Sequence, residues 1–302
     1  MIHVDKRNGN VCFNDELHKY FDINDESKQY ISVTTLIGRY EQEFDKEFWS
    51  AYKALEKLLS KEAWQLEKKS LLVSKKFNKE LLDVYNISEN DFNKVQQDIL
   101  DEWDKTNREA CERGTRIHAG LEDSFYKAGK NVNLQRFGIG GKFECRKDYS
   151  DLDLEYGVYP EYLIYRESDD GVLKIAGQVD LIVKSGNDII ICDWKTNKEI
   201  KQKSAYNSNT KSTTKMKYPL NNLDDVNFSH YTMQLSTYAW MLQKINPDFV
   251  IKDLVLVHFD HNDNQTIYHC EYRKHDVERM LYHYKKELLL DHQRSKRKRI
   301  EY

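Results

Sequence analysis

The stretch Gly177-Gln178-Val179-Asp180-Leu181-Ile182-Val183-Lys184-Ser185-Gly186-Asn187-Asp188-Ile189-Ile190-Ile191-Cys192-Asp193-Trp194-Lys195 decides the fold. Two β-branched runs flank one turn signal, Ser185 to Asp188, which predicts a tight hairpin of strands 173–184 and 188–195. Centring the turn between Gly186 and Asn187 pairs Ile182 with Ile191, Leu181 with Cys192, and Asp180 with Asp193. Directly opposed Cβ atoms lie about 4.5–5.5 Å apart, so two carboxylates meet. They repel, one is partly protonated, and a divalent cation between them removes the penalty. Lys195, two residues beyond Asp193, points to the same face. A surface hairpin with stray charges is the plain alternative. The apolar flanks on both faces speak against it, because buried charges need partners.

The chain has 302 residues, room for one large domain or two ordinary ones. Hydrophobic content of 39% against 32% charged is polar, yet well short of a disordered composition. Three prolines and twelve glycines argue for long regular elements. A net charge of −3 excludes a uniformly basic coat, so any polyanion site is a local patch. Cys12, Cys111, Cys145, Cys192 and Cys270 are scattered without CxxC spacing. That argues against a zinc site, an iron–sulfur cluster or a disulfide scaffold, and for a reducing cytoplasm. Neither a signal peptide nor a run able to span a bilayer is recognisable. The twenty tyrosines and five tryptophans are first of all core material.

Short strands are expected at 20–23 and 29–33, with Thr34 or Thr35 capping the next element. Helices are expected over 48–66, 71–84, 88–103 (with a capping-box start at Ser88) and 106–127, the last bent near Gly114. Residues 129–152 read as a polar connector. A strand at 161–165 comes after Pro160, and a lysine-bearing loop covers 198–227. A helix at 230–245, strands at 254–259 and 266–272, a helix at 275–290 and a basic tail, Arg294 to Arg299, complete the chain. Two regions result: 1–128, an N-terminal hairpin and helical region, and 129–302, an α/β core with the basic C-terminal tail.

Mg²⁺ takes oxygen ligands and usually one or two carboxylates. Asp180 and Asp193 can supply these, with the Trp194 carbonyl as a third oxygen. The cation would polarise a phosphate, and Lys195 would orient water or neutralise developing charge. In Gly114-Thr115-Arg116-Ile117-His118, His118 shares a helix face with Glu122. It is either a metal ligand or a structural histidine. Gln234 and Tyr238, also four apart, hold a phosphate or base, or are an ordinary half-buried pair. After the hairpin come Thr196, Lys198, Lys201, Lys203, Lys211, Lys215 and Lys217 against few acids, chiefly Glu199. This suits a phosphate backbone, with Thr196, Lys198, Lys215 and Lys217 as DNA-contact candidates, or is a solvated loop. The C-terminal basic run adds non-specific nucleic-acid affinity.

In family order these motifs read GTxxH (114–118), GxxD (177–180), DxK (193–195) and QxxxY (234–238). The set resembles the RecB-like branch of the PD-(D/E)XK nuclease superfamily. The opening, His18-Lys19-Tyr20 through Ser32-Val33-Thr34-Thr35, is similar to the start of bacteriophage exonucleases of that branch. The resemblance covers residues 110–275, more loosely 15–50, and leaves 51–105 unexplained. It implies a restriction-endonuclease-like α/β fold, a mixed β-sheet core flanked by helices, here with an N-terminal β-hairpin and helical region. It implies a Mg²⁺ or Mn²⁺ site and hydrolysis of DNA phosphodiesters, often from an end. His118, Asp180 and Asp193 would be metal ligands and Lys195 the catalytic lysine. Gln234 and Tyr238 would contact DNA or brace the site, and Glu161 and Glu122 would support it, Glu161 also as a candidate ligand. Val179 stands where the family name has proline, and Asp193 is the second acid. The cluster cysteines of some relatives are missing, so no iron–sulfur cluster is expected.

The resulting expectation is a metal-dependent DNA exonuclease, a Mg/Mn-dependent hydrolase. It would serve phage DNA replication, recombination or repair in a bacterial host cytoplasm, with DNA as partner and no membrane. An endonuclease on structured DNA or RNA, and a non-catalytic nucleic-acid-binding protein of the same fold, are the rivals. An acidic pair facing a polyanion argues against the second.

Overall fold

The computed structural model describes residues 6–146, 154–207 and 211–300, and their side chains except at 207 and 295–300. The chain forms two compact units, one of residues 1–42 with 116–302 and one of 43–115.

In the larger unit, β1 (Lys6–Asn8), β2 (Val11–Asn14), β3 (Lys19–Asp22) and β4 (Asp25–Ser32) form an antiparallel meander. The short helix α1 (Val33–Gly38) is capped by Ser32, whose hydroxyl accepts from the Thr35 N–H, so neither threonine is the cap.

The smaller unit holds α2 (Lys46–Leu58), α3 (Lys61–Ser74), α4 (Glu80–Val84) and the first two thirds of α5 (Glu89–Ala128). Its core is Ala54, Leu55, Trp64, Leu71, Leu82, Phe92 and Ile99. The helix expected over 48–66 is broken where Ser60 caps α3 through the Ala63 N–H. The one over 71–84 is broken at Lys75, which is left-handed. Ser88 opens α5 as expected, accepting from the Asp91 N–H. The two helices expected over 88–127 are one. The Thr106 hydroxyl donates back to the Glu102 carbonyl instead of capping a new start. Gly114 alone costs only about 1 kcal/mol against alanine, too little to stop a helix.

Beyond α5 the larger unit resumes. The stretch read as a polar connector contains β5 (Val132–Asn133) and β6 (Lys142–Phe143), and buries Leu134, Phe137 and Ile139 as well. These apolar residues pack beneath Trp194, which corrects the polar reading for 129–146; 147–153 lie outside the described residues. The central strands are β7 (Gly157–Glu167), β8 (Lys174–Ser185) and β9 (Asp188–Lys195). A small hairpin, β10 (Tyr206–Asn207) and β11 (Ser212–Thr213), comes next. Then come α6 (Asn227–Ile245), β12 (Val250–Phe259), β13 (Gln265–His269) and α7 (Lys274–Ile300).

The sheet runs β1-β2-β3-β4-β8-β9-β12-β13, with β7 also on β8. It is mixed: β9 is parallel to β12 across the α6 crossover, and β8–β9 is an antiparallel hairpin. Alternation sends Ile182, Ile189 and Ile191 to the face covered by α1, α6 and α7. Leu181, Val183, Cys192 and Trp194 go to the other face, under Leu121 and Phe125 of α5. This is the expected helix-flanked, restriction-endonuclease-like α/β architecture. Among the described residues no helix is long and apolar enough to cross a membrane.

Candidate active site

The hairpin register is the one counted from the turn: Ile182 faces Ile191 and Leu181 faces Cys192. The ladder then stops, one step before Asp180 and Asp193. Its place is taken by a side chain: Asp180 Oδ2 accepts the Trp194 N–H at 2.6 Å. β7 pairs with β8 along one edge, so β9 and β4 must share the other. β9 takes residues 181–185 and β4 takes 175–176. Between them Gly177-Gln178-Val179-Asp180 has no strand partner on that edge among the described residues. On the β7 side the ladder skips the same level. Pro160 pairs with Leu181 and Tyr162 with Val179, while Glu161, opposite Asp180, has φ of +50°. Non-glycine residues rarely adopt that left-handed conformation. Glu161, Asp180 and Asp193 therefore stand in a row across three strands, each at an interruption of pairing.

α5 adds His118. Its Nε2 lies 3.0 Å from the Trp194 carbonyl oxygen, and its Nδ1 lies 3.6 Å from Glu161 Oε1 and 3.5 Å from Asp180 Oδ1. His118, Glu161 and Asp180 offer ligand atoms all within 4.8 Å of one another. Two carboxylates and an imidazole form a donor set for a divalent cation that takes oxygen and nitrogen. With Nε2–H donated to the Trp194 carbonyl, loss of the Nδ1 proton would turn a lone pair toward that cluster. Gln178, two residues before Asp180 and on the same face, donates to Glu161 Oε2.

Asp193 is 1% exposed and differently held. Gln234 Nε2 donates to Oδ1 at 2.9 Å, and the Lys195 ammonium lies 2.6 Å from Oδ2. The carboxylate thus meets an amide on one oxygen and an ammonium on the other. Lys195 also lies 4.7 Å from the centre of the Tyr231 ring.

Burial and crowding set the electrostatics. Burial, with Asp180 adding to it, pushes Asp193 up to about 6 against the pull of Lys195. Asp180 is raised by burial and by Glu161, with His118 pulling the other way. Burial opposes charge on His118, but Asp180 and Glu161 outweigh it and lift the imidazole to about 9. Lys195 is raised because Asp193 and Asp180 outweigh its burial.

Gln234 and Tyr238 are both buried; Gln234 Nε2 also reaches the Tyr238 hydroxyl at 3.4 Å. Gln234 braces Asp193 through its amide. The Tyr238 ring lies on Gly177, where an added Cβ would come within 2.6 Å of its Cε1. The glycine of GxxD and the tyrosine of QxxxY thus need each other. Glu122 is not in the cluster, being ion-paired with Lys6 at 2.5 Å. Thr196 is half-buried at the end of β9 and Lys198 is exposed. Lys215 is exposed but paired with Asp224 at 2.5 Å, and Lys201 with Glu199 at 3.1 Å, so the loop is less basic than its sequence. Lys217 is half-buried. α7 continues through the basic run, whose side chains from 295 on lie outside the described residues. Gln178 and Tyr231 belong to the site without standing out in the sequence. Period-two alternation from Asp180 and the i−3 position before Gln234 are the signals that could have found them.

No curated protein matches the chain in sequence. Among solved structures, SSO0001 is 16% identical with a TM-score of 0.33, over 86% of this chain and 76% of that one. A candidate exonuclease from Eubacterium rectale is 12% identical with a TM-score of 0.33, over 86% and 80%. Residues 142–300 match the PD-(D/E)XK nuclease superfamily. That span holds Glu161, Asp180, Asp193, Lys195, Gln234 and Tyr238, and it is more than half of the sequence; the chain belongs to the PD-(D/E)XK nuclease superfamily.

Proposed function

We propose that this nuclease is a divalent-metal-dependent DNA exonuclease of the RecB-like branch, similar to phage exonucleases. It would act in replication, recombination or repair of phage DNA in a bacterial cytoplasm. The observation that carries the reading is the row Glu161–Asp180–Asp193 beside His118, with Lys195 against Asp193. The ordered set His118, Asp180, Asp193, Lys195, Gln234 and Tyr238 supports the branch. We take residues 1–128 as the region that contributes the His118 helix and 129–302 as the nuclease core.

His118, Glu161 and Asp180, with Asp193 Oδ2 beside them, would hold Mg²⁺ or Mn²⁺. When bound, the cation supplies positive charge to the phosphate and lowers the pKa of water. The Trp194 carbonyl keeps His118 oriented and has a second lone pair for a ligand. Gln234 fixes the Asp193 carboxylate, and Asp193 with the Tyr231 ring fixes Lys195. The Lys195 ammonium then donates to a phosphate oxygen or to the attacking water and offsets developing negative charge. Thr196 and Lys198, beyond the strand end, and Lys215 and Lys217 on the adjoining loop are proposed backbone contacts.

The test uses end-labelled linear single- and double-stranded DNA, closed circles and matching RNA with Mg²⁺, Mn²⁺ or EDTA, and Lys195→Ala as control. Metal-dependent loss of linear DNA alone is the expected result, and the surviving label gives the polarity. Cutting of circles or RNA would replace this reading with the endonuclease one. Binding without cleavage under every metal would leave a nuclease fold used only for binding.

A further inference from the structure

Away from the three-acid row, α7 and the loop before α6 enclose a cleft of about 450 Å³ lined by Tyr218, Arg279, Tyr282, His283, Lys286 and Leu290, among others. Its two tyrosines are among the most exposed large side chains of the protein, Tyr218 at 69% and Tyr282 at 73%. Neither is held as a core residue would be. Tyr218 and His283 pack in a T-shaped pair, with ring centres 5.3 Å apart, and the tyrosine stays exposed despite it. His283 is itself anchored, 3.3 Å from the Tyr40 hydroxyl. The acid in the cleft is already matched: Glu287 is bound by Arg39 at 3.1 Å. Arg279 reaches Asp276 and, at 2.7 Å, Asn222, which pins its guanidinium beside the cleft. Lys286 is exposed, one turn beyond Tyr282 on α7. Of the described basic side chains on this stretch of α7, Arg279 pairs with Asp276, Lys285 with Asp170 at 2.7 Å and Arg294 with Asp291 at 3.6 Å, whereas Lys286 has no acidic partner among the described residues. Cations beside exposed aromatic rings are what single-stranded nucleic acid uses. The phosphates track the charge, and the unpaired bases stack on the rings. A duplex, whose bases are already stacked, gains nothing from the rings.

We propose that this cleft binds single-stranded DNA, with bases stacked on Tyr218 and Tyr282 and the backbone along Arg279 and Lys286. The inference rests on the reading of the chain as a DNA nuclease and adds to it a strand-selective binding site outside the row of acids.

The test measures polarisation of a labelled oligothymidylate and of a duplex of equal length, with full-length protein in EDTA so that nothing is cut. Tyr282→Ala is expected to weaken single-strand binding about tenfold while the duplex changes by less than about twofold. Tyr282→Phe keeps the ring and binds as wild type. Lys286→Ala lowers the dependence of log K on log salt by about 0.7 for the single strand. Tyr218→Ala, an exposed change at the opposite wall, repeats the Tyr282→Ala pattern. Tyr282→Ala and Tyr218→Ala both binding the single strand as tightly as wild type would overturn the proposal, and so would equal losses for both nucleic acids. A parallel Mg²⁺ cleavage assay separates the two readings. Wild-type cleavage with unchanged single-strand affinity in the variants removes the cleft and leaves the nuclease. Strand-selective loss in a protein that never cleaves leaves the cleft and removes the exonuclease.

Discussion

Asp180 and Asp193 occupy neighbouring strands at one level of the sheet, yet their surroundings are opposite. Asp193 faces donors, Gln234 on one oxygen and Lys195 beside the other. Asp180 faces another acid, Glu161, and a histidine that both acids must share. The β9 half is close to electrically balanced by its own residues. The β8 half carries two carboxylates and one titratable imidazole, so it is the half that calls for an added cation. The difference divides the proposed site into an acid-rich side, Glu161, Asp180 and His118, and a lysine-bearing side, Asp193 and Lys195 of β9 braced by Gln234 and Tyr231 of α6.

The largest effect expected from breaking this division falls on the lysine side. Lys195→Ala or Asp193→Asn should lower cleavage by at least about a thousandfold while DNA binding persists, since the first removes the charge placed for the transition state and the second the carboxylate that fixes it. Single-turnover cleavage beside a binding titration measures both. Normal cutting by either variant would remove the assignment of the site.

The cation side should break differently. Glu161→Gln or His118→Ala should raise the Mn²⁺ concentration needed for half-maximal activity by about 10–100-fold, with activity partly recovered at high metal. Metal-induced stabilisation should depend on pH. The folded pKa of Asp193, about 6, lies above its ordinary value near 3.9, so its ionisation costs stability as pH rises through that window. His118 is raised to about 9 from about 6.5, so its stabilising charge is complete below the lower value and lost through the upper. Both make the metal-free fold less stable toward high pH, and both protons compete with a cation. The Tm increment on adding Mn²⁺ should therefore be larger at pH 8 than at pH 5.5. An increment independent of pH would mean that the cation binds elsewhere.

The β8–β9 register was legible because a two-residue turn and a period of two leave no freedom: counting from Gly186-Asn187 reaches Leu181 and Cys192 without error. Counting could not reach the level beyond, where Asp180 bonds the Trp194 N–H instead of extending the ladder. The left-handed Glu161 was equally hidden. A positive φ at a glutamate has no local signature, and its alignment with Asp180 depends on how β7 docks. The pairing of Lys215 with Asp224 was hidden for the same reason, since Asp224 is brought to it by a turn in the chain rather than by helical or strand spacing. Helix boundaries in 43–115 were set by single hydroxyls, Ser60 and Ser88 as caps and Thr106 bonding backwards, in a composition that is helical throughout.

Gly177 ties the two halves together, because the Tyr238 ring that supports Gln234 rests on it. Gly177→Ala forces a buried ring to move and should cost about 1–3 kcal/mol of stability. Thermal unfolding measures this, and Tyr238→Phe, which keeps the ring, gives the reference. An unchanged Tm in Gly177→Ala would mean that the ring is not pinned.

The smallest effect sharpens the lysine side. Tyr231 lies under the Lys195 ammonium, and the two come from different elements, so their contact is tertiary and not a by-product of helix spacing. A partly desolvated cation–ring contact is worth about 1–2 kcal/mol, or a factor of about 5–30 in rate if it exists only to place Lys195. Tyr231→Leu should then lower kcat by that factor and leave KM alone, whereas Tyr231→Phe, which keeps the ring face, should retain most of the rate. Equal losses in both variants would transfer the role to the hydroxyl. Equal retention would make the ring mere packing, with Asp193 alone holding Lys195 in place.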